Sequence, residues 1–165
     1  MIRFFILFLF YSCFIYALEF KNRVYFLPND SKKLYLDIEY LISNSKYSID
    51  IAMYNFSYKP LAKLLKKSAK KGLDISIIFD EKKIKKDKKS KYNYLENSSI
   101  KRYIANKKMH LKMALFDNSI ALIGSLNWTK DSFSNNYELV YITNDKLLIN
   151  SYQKIFKELK KDNLK

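Results

Sequence analysis

His110 is the only histidine in the 165-residue chain, and Lys112 stands two residues after it. An imidazole beside an ammonium pairs a group that exchanges protons near neutral pH with a fixed positive charge. Asp117, Gly124, Ser125 and Asn127 follow at short intervals, and Asn136 and Glu138 come soon after. Each has a plain explanation when taken singly. A lone histidine at a strand end is usually a surface or core residue, a lysine is usually a solvated charge, and Asp-Asn or Gly-Ser is usually a turn. Together they hold a nucleophile, a proton donor and fixed positive charge, the means to attack a centre that carries negative charge.

These residues need rigid elements to position them. Residues 110–116 and 119–123 read as two apolar strands joined by the polar turn Asp117-Asn118-Ser119. On a regular strand His110, Lys112, Ala114 and Phe116 share one face. Asp117 then faces away from His110, which suits a structural or supporting role. Glycine occurs only as Gly72 and Gly124, so a glycine where the second strand ends points to positive φ or a close backbone approach. Residues 137–143 form a further strand with Glu138, Val140 and Ile142 on one face.

Upstream, the pattern gives a strand at 23–27, then a helix with Ser31 as N-cap and Leu34, Ile38, Leu41 and Ile42 at helical spacing. A strand at 47–55 follows, then a helix opened by Ser57 and Pro60 with Leu61, Leu64, Leu65 and Ala69 as its buried stripe. Gly72 stops that helix, and a strand runs over 73–80. A strand is expected within 99–104, a loop at 128–131, and a closing helix over 146–159 with Leu148, Tyr152, Ile155, Phe156 and Leu159 as its apolar stripe. The β-α-β-α-β beginning argues for an α/β fold, a mixed and mostly parallel sheet with helices on both faces.

The spacing His110-x-Lys112-x4-Asp117, then six residues, then Gly124-Ser125-x-Asn127, resembles the phospholipase D superfamily motif in full. Asn136-Tyr137-Glu138 fits the segment that follows it in the short, single-motif members, the Nuc and NucT-like endonucleases and the mitochondrial cardiolipin hydrolase (Zucchini) branch. The resemblance implies two such motifs per active site, whereas this chain carries one. A homodimer with a composite site is therefore expected. One His110 would attack phosphorus and form a phosphohistidine, and the other would protonate the leaving oxygen and then activate water. Lys112 and Asn127 would hold the non-bridging oxygens, Glu138 would fix the His110 tautomer, and Ser125 would support that network.

Composition bounds the rest. Residues 1–17 have a short basic start, an apolar run and a small residue at Ala17, which reads as a secretory signal peptide. An uncleaved anchor is the alternative, and Cys13 loosely resembles a lipoprotein cleavage site. Residues 18–165 then form a single catalytic domain, exported and either periplasmic or membrane-associated. The one cysteine lies inside the leader, and with one histidine besides, no zinc site or disulfide framework is expected. No cofactor is called for.

The net charge of +15 favours polyanionic partners, nucleic acid or an anionic membrane surface. Residues 82–91 carry seven lysines. Lys82, Lys83, Lys85 and Lys86 are a candidate phosphate-gripping rim with Tyr92 and Tyr94 available for base stacking, and a solvated surface is the plainer reading. Endonuclease action on DNA or RNA is the first expectation. Phospholipid hydrolysis by the same chemistry is the second, and a non-catalytic nucleic-acid-binding module the third.

Overall fold

The computed structural model describes residues 22–162. The expected leader at 1–17 lies outside the described residues. The elements run β1 (Arg23–Leu27), α1 (Ser31–Asn44), β2 (Ser48–Met53), α2 (Lys59–Lys70), β3 (Asp74–Asp80), α3 (Glu81–Lys86), a 3-10 turn (Asn93–Leu95), β4 (Lys101–Ala105), β5 (Lys112–Phe116), β6 (Ile120–Gly124), α4 (Lys130–Ser134), β7 (Glu138–Thr143) and α5 (Lys146–Asp162). The strands form a seven-stranded sheet in the order β1-β7-β6-β5-β2-β3-β4.

The sheet is mixed, with helices on both faces, but it is mostly antiparallel rather than mostly parallel. Only β2–β3 and β3–β4 pair in parallel, while β1–β7, β2–β5, β5–β6 and β6–β7 are antiparallel. The reason lies in the connections. Helix α2 carries the chain back so that β3 enters parallel to β2, whereas β5 and β6 are joined by a tight turn that reverses direction.

Alternation along the strands splits the core into two layers. Ile49, Ile51, Met53, Ala114, Phe116, Leu122, Val140 and Ile142 point to the side covered by Leu34, Ile38 and Ile42 of α1 and Leu61, Ala62 and Leu65 of α2. Ala52, Ile78, Met113, Leu115 and Ala121 point to the other side, against Ile149 and Phe156 of α5. Each buried Leu, Ile, Val, Met or Phe side chain contributes about 1.5–3 kcal/mol to holding these layers together. In α5 Ile149 and Phe156 are buried, Tyr152, Ile155 and Leu159 pack beside them as expected, and Leu148 is turned outward. In α2, Pro60 sits in the first turn, and Gly72 just beyond the helix adopts φ +94°, a conformation that L side chains rarely take.

The strand ends place the chemistry. Met53 at the end of β2 pairs with Lys112 at the start of β5, Met113 pairs with Ile123, Gly124 with Val140, and Leu27 with Glu138. Lys112, Gly124 and Glu138 therefore meet at one end of the sheet. The β5–β6 turn, with Asp117 at φ 50° and Asn118 at φ 51°, lies at the opposite end. Both residues having positive φ matches the tight hairpin that Asp-Asn favours.

Candidate active site

Lys112 opens β5 with its side chain buried at 7% exposure, and His110 precedes the strand on the surface. The Lys112 Nζ lies 2.9 Å from the His110 carbonyl oxygen, 3.0 Å from Nδ1 and 3.2 Å from Nε2. An ammonium only donates, so this approach suits a neutral imidazole with a lone pair to offer. The electrostatics agree. Partial loss of hydration where the exposed ring leans on Tyr54, then Lys112 and Lys108, hold His110 below the usual imidazole range, with Asp80 acting the other way and Lys83 adding to the depression. Lys112 is itself lowered by burial, against the opposing pull of Glu138.

Tyr54, immediately after β2, supplies the wall of the site. Its backbone N–H donates to the Leu111 carbonyl at 2.9 Å, and its ring centroid lies 4.3 Å from that of His110. The Nζ atoms of Lys112 and Lys83 each lie 5.1 Å from the same Tyr54 centroid. Asp80, at the end of β3 and 1% exposed, braces the other side. One carboxylate oxygen accepts the Lys83 N–H at 3.0 Å and the other accepts the Met109 N–H at 3.0 Å.

Ser125 and Glu138 form a pair across the β6–β7 ends. The Ser125 hydroxyl donates to Glu138 in a short hydrogen bond and accepts the Leu139 N–H at 3.1 Å, while Asn136 donates to the other Glu138 oxygen at 3.4 Å. Gly124 is required by close approach, not by positive φ, because a Cβ there would stand 2.0 Å from the Leu139 carbonyl oxygen. The Asn127 side-chain oxygen accepts the Asn55 N–H at 3.2 Å, which commits that oxygen to the backbone and leaves the amide nitrogen as a donor. Trp128 anchors this segment. It is fully buried, packs edge-on to Phe56 at 5.2 Å, and its carbonyl accepts the N–H groups of Ser57 and Tyr58 at 2.9 and 2.8 Å.

The expected residues are thus distributed as follows. His110, Lys112, Gly124, Ser125, Asn127 and Glu138 share one end of the sheet. The carboxylate of Glu138 is bonded to Ser125 and Asn136, and among the described residues no hydrogen bond joins it to His110. Asp117 serves the far end, where it accepts the backbone N–H groups of Lys46, Tyr47 and Ser48 at 2.8, 2.7 and 3.0 Å. Of the lysine run, Lys83 reaches the site. Lys82 and Lys86 are exposed, and Lys85 pairs with Glu81 at 2.7 Å. Tyr92 packs edge-on to Phe79 and under Arg102, and Tyr94 lies beneath Lys66, so both rings are engaged in structural packing. Sequence reasoning missed Tyr54 and Asp80. Their positions just past β2 and at the end of β3, at the same end of the sheet as the start of β5, would have been the signal. Among the described residues, no three His, Cys, Asp or Glu side chains come together to hold a metal ion.

Residues 38–160 match the family model described as "Cardiolipin synthase, PLD-like domain". The chain superposes on NucT from Helicobacter pylori with a TM-score of 0.82 and 28% identity, covering 87% of this chain and 98% of that one. Nuc from Salmonella typhimurium, a phospholipase D family member, gives 0.76 and 26%, covering 86% and 95%. Among curated proteins, the mitochondrial cardiolipin hydrolase of Xenopus tropicalis is 26% identical over 121 residues, 72% of this chain. Its counterpart in Xenopus laevis is 45% identical over 51 residues, 31% of this chain. The chain spans 57% and 24% of the length of these two curated relatives.

Proposed function

Because the chain belongs to the phospholipase D-like family, we propose that it is a metal-independent phosphodiesterase that acts through a phosphohistidine, with nucleic acid as its first substrate. The observation that carries this reading is the Lys112 ammonium held 3.0 and 3.2 Å from the two His110 ring nitrogens at a cationic sheet end. A neutral imidazole attacks phosphorus, the N–P bond forms, and the bond to the leaving oxygen breaks. A second imidazole, from another copy of the chain, gives that oxygen its proton and then takes one from the water that splits the N–P bond. Two are needed because the attacking and leaving groups lie on opposite sides of phosphorus. Lys112 and the Asn127 amide hold the non-bridging oxygens. In this reading Glu138, bonded to Ser125 and Asn136, accepts the imidazole N–H that faces away from phosphorus and so fixes the tautomer.

The net charge of +15 and the likeness to NucT and Nuc support a polynucleotide substrate, DNA or RNA. The likeness to two cardiolipin hydrolases favours phospholipid hydrolysis as the second reading. The working form is an exported homodimer, released from or anchored by residues 1–17. Incubating the protein with a single-stranded oligonucleotide and with phospholipid micelles, both in EDTA, tests the proposal. Hydrolysis of the oligonucleotide is expected. Hydrolysis of lipid alone selects the second reading, and activity restored only by a divalent ion contradicts the metal-independent mechanism.

A further inference from the structure

One lysine of the 82–91 run joins the histidine at a shared ring. Lys83 Nζ lies 5.1 Å from the centroid of Tyr54, against which His110 packs at 4.3 Å and over which Lys112 Nζ also lies at 5.1 Å. The two ammonium nitrogens are therefore no farther apart than twice that distance. Lys83 is not a loosely placed surface charge. The buried Asp80 carboxylate holds its backbone N–H with one oxygen and the N–H of Met109, the residue before His110, with the other, both at 3.0 Å. A single side chain thus ties the backbone of Lys83 to that of the residue before His110, while the shared Tyr54 ring brings their side chains to one place.

Two ammoniums leaning on one ring repel each other, which is a cost unless anions come to both. In the proposed reaction Lys112 takes the phosphate that reacts, so Lys83 is available to a different one. We propose that Lys83 is a subsite for a second phosphate of the substrate, adjacent to the reacting one, with Tyr54 and Asp80 as its positioning residues. The inference rests on the phosphodiesterase reading of His110 and Lys112. Its ligand is a second phosphodiester, supplied by the next nucleotide of a polynucleotide or by the other phosphate of a diphosphate lipid.

The test compares substrates that carry two phosphates with anionic ones that carry one, all in EDTA: a trinucleoside diphosphate against a dinucleoside monophosphate, and cardiolipin against phosphatidylglycerol in micelles. Wild-type protein is expected to prefer the two-phosphate member, and Lys83→Gln to lower that preference by about tenfold, through KM more than kcat. Lys71→Gln is the control, being exposed beside Lys46 at the Asp117 end of the sheet, and it should leave the preference unchanged. The effect in the nucleotide pair identifies a polynucleotide as the source. The effect in the lipid pair alone keeps the subsite and overturns the nucleic-acid half of the proposed function. Equal loss on both members of whichever pair is hydrolysed, or no loss, overturns the subsite and leaves the phosphodiesterase reading standing. Hydrolysis of none of the four by wild type overturns both.

Discussion

His110 works as a nucleophile only while it keeps a lone pair, so the direction of its pKa matters. Partial loss of hydration, Lys112 and Lys108 hold it below the usual imidazole value. The attacking ring is therefore readily neutral near neutral pH, while the second ring must hold a proton to act as the acid. Protonation of the attacking ring removes the nucleophile as pH falls through the lowered pKa. The acid limb of kcat/KM should lie at lower pH than for an unperturbed imidazole. Lys108→Gln removes one of the depressing charges, so it should move both the His110 titration and the acid limb upward. With a single histidine in the chain, one imidazole resonance followed by NMR reports this directly. A titration that stays put, or moves down, contradicts the electrostatic account. At this scale the sequence was informative wherever residues stand at fixed spacing, as His110, Lys112 and Asn127 do. It was silent on Tyr54 and Asp80, because their roles arise from strand ends brought together across the fold.

The elements divide their work between the two ends of the sheet. Asp117 accepts three backbone N–H groups at the start of β2, far from His110. Asp117→Ala leaves those donors without their charged partner and should lower stability by about 3 kcal/mol, read as a lower denaturant midpoint. The folded fraction should keep the wild-type kcat. A kcat reduced as severely as by a change at His110 would instead give Asp117 a part in the chemistry. His110→Asn should do the reverse, abolishing turnover with the midpoint held. Strand and helix positions were legible from alternation and helical spacing, as at β1 and α1, and the turn at Asp117-Asn118 from its residue types. Strand direction was not, since apolar alternation is the same in parallel and antiparallel pairs. Three leading strands separated by helices suggested a parallel sheet, while β5, β6 and β7 supplied an antiparallel half. The short α4 after Thr129 was also read as loop, because five residues are too few to show helical periodicity.

One histidine per chain sets the requirement on the whole molecule. If nucleophile and general acid come from two copies, a dimer with one His110→Asn chain lacks one of them. Co-expression of mutant and wild type should then give activity that falls as the square of the wild-type fraction, not in proportion to it, and sedimentation should show twice the chain mass. Proportional activity, or a fully active monomer, would mean that another group in the same chain serves as the acid. The central claim, that His110 carries the phosphoryl group, is tested most directly by rapid acid-free quenching with substrate labelled at the scissile phosphate, in EDTA. The account predicts label on the wild-type chain, stable to alkali, lost in acid, and absent from His110→Asn. Turnover in EDTA with no labelled chain, or label that persists in His110→Asn, would contradict it.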